Sequence, residues 1–156
     1  MRKQSISVHF ARAVLRHTVR LGVDPVPLLH RNRITPRLLR EPHARLAIER
    51  FADLQVATMQ ALGDEALGYG ERPMPLGSWD MMCHAVINSA TLGQALSRLC
   101  RFYALFGYDP VPSFEVSGER AAVHLRERGP APVDPYLKEL FLFNAHRFGS
   151  WLVQEH

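Results

Sequence analysis

The chain predicts an α+β fold, mostly helical, with a small antiparallel β-hairpin packed against helices. Three observations carry that prediction. Apolar residues recur at helical spacing over most of the chain, as in Ile48, Phe51, Leu54 and Met59. Residues that favour helix starts stand ahead of those runs, above all Asp24-Pro25, Ser78 and Thr91. Between Pro112 and Arg126 the pattern shifts to alternation on either side of Ser117-Gly118, as in a hairpin.

The elements follow in order. Ile6, Phe10, Val14, Leu15 and Leu21 place a first helix, capped by Ser5 or Ser7 and ended by Gly22. Asp24 caps a short second helix that carries Pro25 at its first position and runs to Asn32. Thr35-Pro36 repeats the signal and opens a single turn, Arg37-Leu38-Leu39. A longer amphipathic helix covers Ile48 to Leu62 and stops at Gly63; Asp64 then caps one further turn, closed by Gly68. The Gly- and Pro-rich stretch from Gly68 to Gly77 reads as a connector. It lacks the third glycine that a dinucleotide-binding loop needs.

Helices follow over Ser78–Asn88 and Thr91–Phe106. Gln94, three residues after Thr91, completes a capping box. Leu92, Leu96, Leu99, Tyr103 and Phe106 share one face of the second of these helices. In the hairpin, Ala121, Val123 and Leu125 alternate with Ala122, His124 and Arg126, so one face is expected to be apolar and the other wet. Pro135 opens a last helix, expected to bury Leu137, Leu140, Phe141, Ala145, Phe148 and Leu152. No Gly or Asn follows to cap it, so it is expected to run to the end of the chain. A lone hairpin also needs further partners. On both grounds the sequence reads as a piece of a longer polypeptide.

A length of 156 residues suits one domain, and an apolar share of 47% supplies a core. No run of about eighteen apolar residues exists to span a bilayer, and the N-terminus lacks the apolar segment of a signal peptide. A cytoplasmic location is therefore expected, with no membrane partner. Cys83 and Cys100 read as reduced, buried thiols. The net charge of +4 permits an acidic partner, and the scattered arginines are only weak evidence of a nucleic-acid context. The first two helices have the outline of a helix-turn-helix. The second is too short and apolar to recognise DNA and carries Pro25 and Pro27, so the pair reads as bundle packing. Arg12, Arg16 and Arg20 form a stripe on the first helix that reads as a solvated face.

No motif points to catalysis. The chain has no Gly-x-Ser-x-Gly elbow, no phosphate-binding loop and no His-Glu-x-x-His, so no catalytic residue is assigned. Eight histidines occur, but none pairs with another ligand at a metal-binding spacing, and adjacent Cys83 and His84 diverge on a helix. No metal ligand and no cofactor are assigned. A haem held by His84 or His146 stands as an alternative, beside the reading of each as a core histidine.

The series Gly68-x-Gly70-x-Arg72-x-Met74-Pro75-Leu76-Gly77, followed by Ser89-x-Thr91-Leu92-Gly93-Gln94-Ala95-Leu96, resembles the N-terminal arabinose-binding-like domain of AraC-type bacterial transcription regulators. Leu21-Gly22-Val23, Leu62-Gly63-Asp64 and Leu67-Gly68 fit the same pattern, so the resemblance covers nearly the whole chain. It implies a single regulatory domain over 1–156 that senses a small-molecule effector or forms a homodimer. It further implies that DNA is contacted only through a C-terminal helix-turn-helix domain outside this chain, and that arabinose need not be the effector. Between Ser78 and Ala85 the sequence departs from the family, which implies small or Gly residues at one or two positions of a stretch that here holds Asp80, Cys83 and the bulky Trp79, Met81 and Met82.

Trp79, Met81, Met82, Cys83 and His84 make a soft, polarizable patch suited to a ligand of irregular shape. With Tyr103, Phe106 and the last helix they are the candidate effector site, and Arg72 or Arg98 is placed to meet a carboxylate. The assigned set is Trp79, Met82, His84, Tyr103, Phe106 and Arg72. For the apolar members the competing reading is core packing, and for the arginines a surface salt bridge. A ligand-free homodimerisation module is the other functional alternative.

Overall fold

The computed structural model describes residues 4–70, 72–107, 109–130 and 132–154. The backbone divides into two compact units, Met1–Leu76 and Gly77–His156. The fold is mostly helical with two antiparallel pairs of strands, the α+β class that the sequence predicts.

In the first unit, β1 (Ser5–Ser7) pairs with β2 (Arg45–Ala47) in the register Ser5↔Ala47, Ile6↔Leu46 and Ser7↔Arg45. Arg45 stitches the pair: its Nε donates to Ser5 Oγ at 2.8 Å and its Nη2 to the Ser5 carbonyl at 2.6 Å. Ser7 caps α1 (Val8–Leu15) by accepting the His9 N–H at 3.2 Å. This helix ends seven residues before Gly22. The hydroxyl of buried Thr18 donates to the Leu15 carbonyl at 2.8 Å, and Val19–Leu21 tightens into a 3₁₀ turn. The Thr side chain thus competes with the helical ladder, and Gly22, at φ +79°, closes the tighter turn instead.

Helix α2 (Pro25–Arg31) starts on Asp24, whose Oδ1 accepts the Val26 N–H at 2.9 Å, and buries Leu28 and Leu29. The following 3₁₀ turn covers Leu38–Arg40, one residue later than the sequence suggests. Helix α3 (Ile48–Leu62) has the expected bounds and ends on Gly63 at φ +63°. It buries Phe51, Leu54 and Thr58, and the Thr58 hydroxyl is satisfied by the Leu54 carbonyl at 2.7 Å.

Asp64 does more than cap a turn. Its carboxylate is buried and accepts three backbone N–H groups, from Ala66 and Gly68 at 2.8 Å and from Met74 at 2.7 Å. The Glu65 N–H returns to the Met74 carbonyl at 2.9 Å. One side chain therefore holds both the turn and the far end of the connector. Arg20 donates to the Gly68 carbonyl at 2.9 Å and the Tyr69 hydroxyl to the Ala13 carbonyl at 2.8 Å, which fastens the connector to the first helical layer.

In the second unit, α4 (Ser78–Ile87) is capped not by Ser78 but by Gly77, whose φ of +91° breaks the chain; Ser78 is the first helical residue and is buried. Only Gly adopts that backbone without strain, so the helix start falls there. Thr91 caps α5 (Leu92–Leu105) as predicted, accepting the Gln94 N–H at 3.2 Å. Gln94 Oε1 reaches back to the Ala90 N–H at 3.2 Å, one residue ahead of the usual capping-box donor.

Strands β3 (Val111–Ser117) and β4 (Arg120–Arg126) form the hairpin over a Gly118-Glu119 loop, and β3 runs along α5. The expected apolar face exists only toward the base. Phe114, Val123 and Leu125 are partly buried, whereas Ala121 and Val116 near the tip are exposed. Asp109 pins the base: its two carboxylate oxygens accept the N–H groups of Arg128 at 2.9 Å and Gly129 at 2.8 Å.

Helix α6 (Pro135–Leu152) opens on Asp134, which accepts the Tyr136 N–H at 3.0 Å. It does not run to the chain end. Val153 is its C-cap and Gln154 turns left-handed at φ +58°. Tyr136, Ala145, Phe148 and Gly149 are its buried residues, while Leu137, Leu140, Phe141 and Leu152 are half-buried.

Candidate functional site

The chemistry-bearing part of the second unit is the corner where α4 and α5 meet, backed by α6. Its core is Met82, Val86, Ala95, Leu99, Cys100 and Phe148. Thr91 starts α5 directly after the short Asn88–Ala90 link, so the two helices fold back with their apolar faces together. Ala95 is buried between them, and Gly149 of α6 is buried near Leu92, where a Cβ would make an ordinary 3.7 Å contact with Leu92 Cδ1.

Two sets of rings cover this core. Trp79 meets Phe148 edge-on with centroids 5.7 Å apart, and Phe148 stacks on Trp151 at 5.8 Å. Along α5, Phe102 touches Tyr103 at 5.6 Å and Phe106 at 5.3 Å, and Tyr103 meets Phe141 of α6 at 5.6 Å. Such pairs contribute about 0.5–1.5 kcal/mol each beyond their buried area.

The six residues assigned from sequence fall in three places. Trp79, Met82 and Tyr103 come together on the corner, with Phe106 joined to Tyr103 through Phe102. Of these, Met82 is fully buried within the core, whereas Trp79, Tyr103 and Phe106 are half-buried at its edge. His84 is exposed on α4, with its Nδ1 2.9 Å from the Asp80 carbonyl and 3.7 Å from the Asp80 carboxylate. It is therefore not a core histidine. Arg72 is exposed and belongs to the first unit. Arg98, the other arginine considered, donates to Ser89 Oγ at 3.1 Å.

Phe102, Phe141, Phe148 and Trp151 complete the ring network and were not among the assigned residues. Their signal is in the sequence: Phe102 stands four before Phe106, and Phe148 three before Trp151, the spacings that bring helical side chains together.

Electrostatics here are quiet. Both cysteines are free thiols. Burial pushes Cys100 up to about 11, and Cys83 is raised first by burial and then by the Asp80 carboxylate. Neither is a ready nucleophile, since the thiolate is the reactive form. Among the described residues no group of three or more His, Cys, Asp or Glu is placed to hold a metal ion. Among the described residues no helix is long and apolar enough to cross a membrane. The corner is thus an apolar surface of half-buried rings over a core in which Met82 is fully buried. In the first unit a shallow depression of about 540 Å³ is lined by His30, Arg31, Arg33, Ile34 and Thr35.

A family model described as the arabinose-binding domain of AraC transcription regulators, N-terminal, matches residues 22–156. The ornithine utilization regulator of Pseudomonas aeruginosa is 29% identical over 104 residues, covering 65% of this chain and 30% of that protein. The matched part is thus less than a third of that relative's length. No solved structure matches the chain significantly.

Proposed function

We propose, for a chain that belongs to the family of N-terminal arabinose-binding domains of AraC transcription regulators, that residues 1–156 act as one effector-sensing domain. The family is a regulatory one and not a family of enzymes. The observation that carries the reading is the family match over residues 22–156. The α4–α6 corner supports it by presenting half-buried aromatic rings at the edge of the second unit's core.

In this reading Trp79, Tyr103 and Phe106 receive the apolar part of a small effector over the core residue Met82, and His84 at the exposed edge meets a polar or carboxylate group. An effector that prefers one packing of α4 against α5 shifts the equilibrium toward it. The shift reaches a DNA-binding domain as a coupling free energy, typically about 1–3 kcal/mol. The name of the ornithine utilization regulator puts ornithine into the first panel of ligands to try.

Tryptophan emission tests the site, because both tryptophans of the chain lie against Phe148. Titration with amino acids, aromatic carboxylates and sugars is expected to give a saturable change for one class, weakened at least tenfold by Trp79→Ala or Tyr103→Ala. A saturable ligand whose affinity neither substitution alters would sink the corner as its site.

Homodimerisation is the second reading, favoured by large apolar side chains that remain exposed on α5 and α6: Leu105 at 84%, Phe143 at 61% and Trp151 at 53%. Light scattering across a concentration series decides it. A mass that stays at one chain at all concentrations, with and without ligand, removes it.

A further inference from the structure

We propose that the first unit carries a sequence-independent contact for the phosphate backbone of duplex DNA, formed by Arg31, Arg33, Arg37 and Arg40 with Arg50 and Arg12 at its two ends. This goes beyond effector sensing, and leaves base readout to another domain.

The charge of the chain is unevenly divided. Residues 1–76 hold 12 arginines and lysines against 7 aspartates and glutamates, whereas residues 77–156 hold 7 against 8. The whole excess of +4 therefore comes from the first unit. Within it, the stretch from Pro25 to Arg40 contains four arginines and His30 and no acidic residue.

The fold gathers these groups around the turn that ends α2 and the Leu38–Arg40 turn that follows it. His30, Arg31, Arg33 and Thr35 border the shallow depression, whose floor is buried Ile34. Arg33 sits at φ +54°, which turns the chain sharply after α2. Arg50 reaches over from α3 and donates to the Arg33 carbonyl at 3.1 Å. Beyond the turn, Arg37 precedes and Arg40 ends the Leu38–Arg40 segment packed on α1, and Arg12 of α1 donates to the Glu41 carbonyl at 3.3 Å. The guanidiniums of Arg31, Arg37 and Arg40 are exposed and, among the described residues, make no hydrogen bond or ion pair. Acidic residues stand here too, Glu41 next to Arg40, and Glu49 and Asp53 next to and one turn after Arg50, all exposed.

Exposed arginines this well hydrated hold a lone small anion weakly. A polyanion differs: each phosphate neutralised releases a condensed counterion, so a row of charges gains together. The depression is open, and the arginines are strung along the chain rather than converging on one point. That layout suits a backbone track better than a small-anion pocket. A transcription regulator also works where DNA is concentrated, which favours a duplex over a lipid surface.

The test is fluorescence anisotropy of the chain with a labelled duplex of arbitrary sequence between about 50 and 200 mM salt. The triple substitution Arg31→Gln, Arg37→Gln, Arg40→Gln removes three charges without breaking a contact. Arg120→Gln, Arg126→Gln, Arg128→Gln in the hairpin removes the same charge elsewhere. The expected result is duplex binding that the first triple weakens at least tenfold at low salt and the second less than twofold. The slope of log K against log salt is expected to flatten by about 2–3 in the first triple, as three lost phosphate contacts require. Four outcomes overturn the proposal. They are no duplex binding, equal loss in both triples, binding of inorganic phosphate at the depression without duplex binding, and binding to vesicles containing phosphatidylserine in preference to the duplex.

Discussion

The backbone N–H of Met74 donates to Asp64 Oδ1 at 2.7 Å, across ten residues of a Gly- and Pro-rich connector. The same carboxylate takes the N–H groups of Ala66 and Gly68. Asp64 is 4% exposed, so these donors have little access to water once it is gone. Asp64→Ala is expected to destabilise the chain by about 3–5 kcal/mol, since each orphaned buried donor costs about 1–3 kcal/mol and relaxation recovers part. Asp64→Asn keeps one acceptor oxygen and is expected to lose less. Urea denaturation of the three proteins checks the order.

Gly68 is expected to be the least replaceable of the described glycines. A Cβ there would lie 2.5 Å from Leu21 Cδ1 and 2.9 Å from His17 Cβ, on a backbone at φ +77°. Both a clash and strain oppose Gly68→Ala, for a loss of about 2–4 kcal/mol. Gly107→Ala, at φ +69° with nothing near, isolates the strain alone and is expected to cost about 1 kcal/mol. Equal melting temperatures for the two variants would refute this.

The cap of α5 is separable from its packing. Thr91 is exposed, and its hydroxyl accepts the Gln94 N–H, so Thr91→Ala is expected to cost about 1 kcal/mol and Thr91→Ser almost nothing. A loss in the serine variant as large as in the alanine variant would show that the methyl group, not the cap, matters.

Stability is expected to fall in alkali. Burial raises the Cys100 thiol from 9.0 to about 11, and Cys83 is raised in the same sense. The folded chain therefore holds these protons more tightly than the unfolded one. Their contribution is complete below pH 9 and is lost as pH rises through about 11, amounting to about 3 kcal/mol for Cys100. Chemical denaturation of Cys100→Ala across that range should give a flatter profile than the parent. The same burial predicts that a thiol reagent at neutral pH labels Cys100 only on unfolding.

Local signals in the sequence placed most elements well. Asp24-Pro25, the apolar period from Ile48 to Leu62, Thr91 with Gln94, and the alternation around Gly118 each act over a few residues, and the structure keeps them. What was not legible acts at distance or through one atom. The β1–β2 pair joins three-residue strands some forty positions apart, too short to show a period. The early end of α1 turns on the Thr18 hydroxyl, and Gly77 displaced Ser78 as a cap because its φ alone decides the matter. At the candidate site, the run from Trp79 to His84 looked like one patch. One helical turn instead sends Met82 into the core and His84 into water, and no composition argument separates them.

Trp79 and Trp151 lie against the same phenylalanine, so every photon of indole emission originates in the second half of the chain. A melting curve followed that way reports on Asp64, Gly68 and everything else ahead of Gly77 only to the extent that the two halves melt together. Far-ultraviolet dichroism sees both halves. Where the two curves part, the halves melt separately, and substitutions in the earlier half would then shift the dichroism while leaving the glow unchanged.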